Sequence, residues 1–113
     1  MKSLSEDEVI VATAWNNGRR HQSGAGFGLK ISLEDRAKYF PRSLKQVRLL
    51  LPNGATADVN IDKSSFWNDT CRELISAEIG HWLLEAKLAP WPKRKPPKIE
   101  LLRRGNDTFE VRV

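Results

Sequence analysis

Two segments in which apolar side chains recur at every second residue flank a Pro52-Asn53-Gly54 turn. They constrain the fold of this chain more than any other feature. Apolar side chains stand at every second position of residues 47–51, and again at every second position of residues 57–61. Such alternation is typical of strands that bury one face only. Because proline, asparagine and glycine are turn residues, the two segments are predicted to form an antiparallel hairpin.

Four other segments are also predicted to be strands. Residues 9–15 are β-branched and apolar, and residues 27–31 alternate after a polar, glycine-rich loop. Residues 99–102 and 109–113 are apolar segments around Gly105-Asn106-Asp107, which predicts a final hairpin.

Two helices are expected. Ser32 offers an N-cap hydroxyl to a short helix, which Pro41 ends because proline disfavours a helical residue before it. Thr70 and Glu73 match a second capping box, which predicts one long helix over about residues 71–88. The apolar stripe expected on this helix comprises Ile75, Ile79, Trp82, Leu83 and Ala86.

The resulting order is β-β-α-β-β-α-β-β, without regular alternation of single strands and helices. This order disfavours a parallel sheet and predicts a mainly β, α+β domain, a partly open antiparallel barrel with one short and one long helix. A chain of 113 residues fits one such domain, expected over residues 8–113. Residues 1–7 are polar and acidic, and are predicted to be a disordered tail.

Composition narrows the classes of function. Cys71 is the only cysteine, which excludes an internal disulfide and any zinc site built on cysteine pairs. The first residues lack the apolar core of a signal peptide, and no stretch has the ~18 apolar residues of a membrane span. We therefore expect a cytoplasmic protein with no membrane partner. The formal net charge of +5 favours a polyanionic partner.

Three polar segments are candidates for binding nucleic acid. The loop 16–23 combines amide and guanidinium side chains, which suit the edges of adenine and guanine. The segment 62–73 carries further polar and basic groups, and the proline-stiffened connector 93–98 carries four cations suited to phosphates. The candidate DNA-binding residues are Asn16, Asn17, Arg19, Arg20, His21, Ser23, Lys63, Asn68, Arg72, Lys93, Arg94 and Lys95, to which the family resemblance stated below adds Glu73.

Two other classes of function stay open. A protein-interaction domain would use an exposed Trp67 or Trp91, together with the connector 93–98. A small metal-dependent nuclease would need a convergent site around His21, or around the strand face of Asp58, Asn60 and Asp62. No phosphate-binding glycine motif occurs. We expect no enzymatic activity, cofactor, metal or small-molecule substrate.

The glycine-rich stretch 23–32, the following helix that ends at Tyr39-Phe40-Pro41, and the segment 60–75 together resemble the effector-binding domain of EcoRII-type restriction endonucleases. This resemblance covers roughly residues 9–80. It implies the DNA-binding pseudobarrel fold, shared with plant transcription-factor domains, in which two arms grip the major groove of double-stranded DNA. The first arm would be loop 16–25, and the second arm segment 62–73. The second arm is less basic than the pattern of the family, since it holds Trp67, Asp69 and Cys71.

Overall fold

The structure is a computed structural model that describes residues 8–18 and 25–113. Its strands are β1 (Val9–Asn16), β2 (Phe27–Lys30), β3 (Gln46–Leu50), β4 (Thr56–Asn60), β5 (Glu73–Ile75), β6 (Lys98–Arg103) and β7 (Thr108–Arg112). Its helices are α1 (Leu33–Tyr39), α2 (Ser64–Trp67) and α3 (Ala77–Glu85). The tail predicted at residues 1–7 lies outside the described residues.

The seven strands form one sheet in the order β4-β3-β7-β6-β1-β2-β5. Every neighbouring pair is antiparallel except β3 and β7, which run parallel. The two edge strands, β4 and β5, contact each other, so the sheet is nearly closed into a barrel. The prediction of a mainly β, partly open pseudobarrel is therefore confirmed, with one parallel pair in the sheet.

The predicted alternation accounts for the core. In the β3–β4 hairpin, Val47 pairs with Val59 and Leu49 pairs with Ala57, and all four side chains are buried. Helix α1 begins at the Ser32 cap, whose hydroxyl accepts a hydrogen bond from the backbone N–H of residue 35. At the centre of the core, the Phe40 ring packs against the rings of Phe66 and Phe109, and the centroid distance is 5.4 Å in both pairs.

The prediction of one long helix over about residues 71–88 is wrong. Glu73–Ile75 instead form β5, which pairs with β2, and the helix begins only after the N-cap Ser76. Arg72 has a φ of 61°, a left-handed conformation that no helix interior accepts. Ile75, expected on the buried stripe, is 37% exposed on the strand. The Thr70 hydroxyl bonds the Asn68 side chain and does not cap a helix.

Candidate nucleic-acid interface

Strands β6, β1, β2 and β5 present a continuous outer surface, which we call the floor. Side chains opposite each other across antiparallel strands share one face of the sheet. Two rows cross the floor, and a third row borders it. The first comprises Lys98, Thr13, Lys30 and Glu73, the second Trp15, Gly28 and Ile75, and the bordering row Glu100 and Val11.

The first row across the floor holds two lysines and one glutamate, since Lys30 lies opposite Glu73 of β5. Thr13 lies between Lys98 of β6 and Lys30 of β2, and the Lys98 ammonium donates to the Thr13 hydroxyl at 2.8 Å. The Lys30 ammonium donates to the Thr70 carbonyl at 2.9 Å and lies 3.7 Å from the Glu73 carboxylate. Lys30 therefore connects the floor to the second arm. Alternation beside the buried Leu29 already indicated that Lys30 points outward, but sequence analysis did not single it out.

The second row across the floor is apolar. Trp15 of β1 lies opposite Gly28 of β2, which lies opposite Ile75 of β5. A Cβ atom at Gly28 would lie 2.6 Å from the Leu74 carbonyl oxygen and 3.2 Å from the Ile75 side chain. Only glycine permits this approach of β2 and β5.

The first arm leaves the floor from a closed base. The Asn17 backbone N–H donates to the Gly26 carbonyl at 2.9 Å, so the chain leaves and returns at one point. The Asn16 side-chain oxygen accepts from the Gly18 backbone N–H at 2.8 Å, which shapes the turn out of β1. Asn17 is exposed beside it. The predicted arm residues Arg19, Arg20, His21 and Ser23 lie outside the described residues.

Internal contacts of Asn68 and Arg72 hold the second arm. The Asn68 side-chain oxygen accepts from the Thr70 and Cys71 backbone N–H groups at 2.9 and 2.7 Å. The Arg72 guanidinium donates to the carbonyls of Ile31, at 2.8 Å, and of Asp69. These hydrogen bonds within the chain hold the arm in place, and the prediction that both side chains contact DNA stays a prediction.

The two ends of the second arm differ in exposure. Glu73, at the β5 end, is only 8% exposed and is ion-paired with Lys30. Lys63, at the start of α2, is partly exposed and makes no ion pair with any described residue. Of the two predicted cations in this arm, Arg72 is hydrogen-bonded within the chain, so Lys63 is the one more available to an external anion.

Arg36 of α1 contacts the backbone and the Trp67 ring of the second arm. Its guanidinium donates to the carbonyls of Phe66 at 3.0 Å and Asn68 at 2.6 Å, and lies 5.7 Å from the centroid of the Trp67 ring. Arg42 packs on the same ring at 4.9 Å. Sequence analysis missed Arg36 because its partners lie 30 or more residues away, and no local pattern indicates such contacts.

The basic connector runs beside the adjoining ends of β1 and β2. Trp91 packs edge-on against Phe27, the first residue of β2, with ring centroids 6.1 Å apart. The Pro97 carbonyl accepts from the Ala14 backbone N–H at 3.0 Å, so the connector enters β6 alongside the end of β1. The three cations predicted to bind phosphate are exposed and make no ion pair within the described part of the chain; they are Lys93, Arg94 and Lys95.

Cations on the strands beside and beyond the floor are paired with carboxylates, and the Arg112–Glu100 pair borders the floor, because Glu100 lies opposite Val11 of β1. Strands β3, β4, β6 and β7 and their loops pair basic side chains with carboxylates, and the Asp58 carboxylate raises the pKa of Arg48 by hydrogen bonding and charge. The pairs are Arg48–Asp58 at 3.0 Å, Arg103–Glu8 at 3.1 Å, Arg104–Glu110 at 2.6 Å and Arg112–Glu100 at 3.9 Å. Surface pairs of this kind add little stability, but they cancel positive potential locally.

The residues on which the protein-interaction and nuclease alternatives depend make contacts within the chain where the structure describes them. Trp67 and Trp91 are partly buried against the core, and the Trp67 indole N–H donates to the Ile61 carbonyl at 2.8 Å. On the predicted nuclease face, Asp58 pairs with Arg48, and Asp62 lies 3.5 Å from the Lys45 ammonium. His21 lies outside the described residues.

Neither a metal-binding cluster nor a membrane-spanning helix occurs in the described residues. They contain no group of three or more histidine, cysteine, aspartate or glutamate side chains placed to hold a metal ion. No helix within residues 8–18 and 25–113 has the length and apolar character needed to cross a membrane.

Comparison of the chain with protein-family models, curated proteins and solved structures found no match in any of the three.

Replacing Asn68 with alanine is expected to lower the free energy of unfolding by about 1 kcal/mol, because its side-chain oxygen accepts two backbone hydrogen bonds. Asn68→Asp keeps an acceptor at this position and should retain most of the stability. Urea denaturation measures the difference. Equal loss in both variants would show that the acceptor does not hold this turn.

Proposed function

We propose that this protein is a double-stranded DNA-binding module that grips the major groove with the floor and its two arms. The observation that carries the proposal is a set of cations in the second arm and the connector that lack a carboxylate partner among the described residues. Four arginines, Arg48, Arg103, Arg104 and Arg112, are paired with carboxylates, whereas Lys63, Lys93, Arg94 and Lys95 make no ion pair with any described residue. Unpaired cations attract a polyanion over a distance and release its counterions on contact.

The proposal assigns different tasks to the parts of the interface. The connector cations and Lys63 contact phosphates, which gives affinity without sequence information. In the first arm, Asn17, Arg19 and Arg20 contact base edges, since arginine pairs with guanine and asparagine with adenine. The second arm, whose Asn68 and Arg72 are engaged internally, fixes the spacing and shape of the grip.

The fold class and the placement of the arms on it support kinship with the effector domain of EcoRII-type endonucleases. Both arms adjoin the same outer surface, because β1 and β2 carry the first and β5 ends the second. In this proposal the chain recognises DNA without cleaving it, and acts in the cytoplasm, where the thiol of Cys71 stays reduced.

Fluorescence anisotropy with a labelled random-sequence 20-base-pair duplex, titrated from low to near-physiological salt, tests the proposal. Four phosphate contacts predict that log affinity falls with log salt with a slope of about −3.6. A single-stranded oligonucleotide of the same composition serves as the control and should bind more weakly. Absence of duplex binding at the lowest salt would overturn the proposal.

A further inference from the structure

The apolar row of the floor has a composition that phosphate binding does not explain. Trp15 and Ile75 point outward on either side of Gly28, and Ile75 is 37% exposed. Gly28 is buried between them, since a Cβ there would lie 3.2 Å from the Ile75 side chain, so Trp15 and Ile75 supply the apolar surface of this row. We call these three residues the apolar strip.

The surroundings of the apolar strip are polar. The adjacent row holds Lys30 and Lys98, and on the other side Asn17 lies over Gly26, whose added Cβ would be 2.7 Å from the Asn17 side-chain oxygen. An apolar strip beside two lysines is complementary to a ligand that is apolar in one place and anionic around it.

The major groove of DNA offers one apolar feature, the C5-methyl group of pyrimidines, flanked by phosphates on both sides. We propose that the apolar strip packs against pyrimidine C5-methyl groups, so that the module binds duplexes carrying them more tightly. This inference rests on the proposed function and adds a specificity-determining contact to it. Thymine and 5-methylcytosine present the same methyl group in the groove.

The test compares three 20-base-pair duplexes of one sequence. The first contains thymine, the second has uracil at every thymine position, and the third adds 5-methylcytosine to the uracil duplex. Removing one contacted methyl should weaken binding about fourfold, and more if several methyls are contacted. Recovery of affinity with the third duplex would show that any C5-methyl suffices, whereas no recovery would assign the contact to thymine positions alone.

Variants of the strip separate this contact from other effects of uracil. Trp15→Ala and Ile75→Ala should bind the thymine and uracil duplexes equally. Val11→Ala is the matched control, because Val11 is 53% exposed on the same face of β1, four residues from Trp15, and should keep the difference. Thermal unfolding checks each variant, and Ile75→Ala provides the test if Trp15→Ala does not fold.

The outcomes distinguish this inference from the proposed function. Equal affinity of the unaltered protein for the thymine and uracil duplexes would overturn the methyl contact while duplex binding stands. A preference for thymine that survives in both strip variants would also overturn it. Failure to bind any of the duplexes would overturn the proposed function as well.

Discussion

Replacing both Lys93 and Lys95 with alanine should weaken duplex binding roughly 10- to 30-fold at near-physiological salt and make the salt slope shallower by about 1.8. Both side chains are exposed and lack an ion pair with any described residue, so neither has an internal contact to lose. The loss should be the same on every DNA sequence, since phosphate contacts carry no sequence information. Anisotropy titrations at several salt concentrations measure both quantities.

A matched control removes the same charge from two arginines that are paired with carboxylates. Arg104 and Arg112 are paired with Glu110 and Glu100, so the double variant Arg104→Ala and Arg112→Ala also lowers the net charge by two. It should leave the salt slope unchanged. If the two double variants weaken binding equally, the connector has no special role, and only net charge matters.

Replacing Gly28 with alanine should lower the free energy of unfolding by about 1–3 kcal/mol, as insertion of a carbon into a packed site does. The added Cβ would lie 2.6 Å from the Leu74 backbone oxygen, so β5 must move away from β2. Because β5 ends the second arm, duplex affinity should fall together with stability. Urea denaturation and anisotropy on the same preparation measure the two effects.

Gly105→Ala is the control for the glycine substitution. Gly105 lies in the turn between β6 and β7, and a Cβ there meets no heavy atom within 4 Å. The free energy of unfolding should therefore change by no more than about 0.5 kcal/mol, as at most surface positions. Unchanged stability in Gly28→Ala would contradict the close approach of β2 and β5.

The parts of the fold that follow from local patterns were predictable. The β3–β4 hairpin and the β6–β7 hairpin agree with the predicted segments, because strict alternation and turn residues determine a strand over a few positions. Strand β5 was not predictable in this way. It has only three residues, Ile75 and Ile79 imitate helical spacing, and its pairing with β2 joins positions more than 40 residues apart.

The residues of the candidate site also differ in whether a local sequence pattern could have identified them. The exposed connector cations were identified from sequence, since a basic segment rich in proline stays at the surface. Asn68 and Arg72 have side chains suited to base edges, but Asn68 accepts from backbone N–H groups two and three residues ahead, whereas Arg72 donates to the Ile31 carbonyl, which only the tertiary structure brings close. Lys30 had a local signal in the alternation of β2, whereas its contact with Thr70 depends on the tertiary structure.

The central claim is that one face of the barrel contacts DNA, and amide chemical-shift mapping with an unlabelled duplex tests it most directly. We expect the largest shifts on the floor, at the bases of both arms and in residues 93–98, with little change in the β3–β4 hairpin and in β7. Shifts concentrated around Arg48, Arg104 and Arg112, or no shifts at a saturating duplex concentration, would contradict the claim.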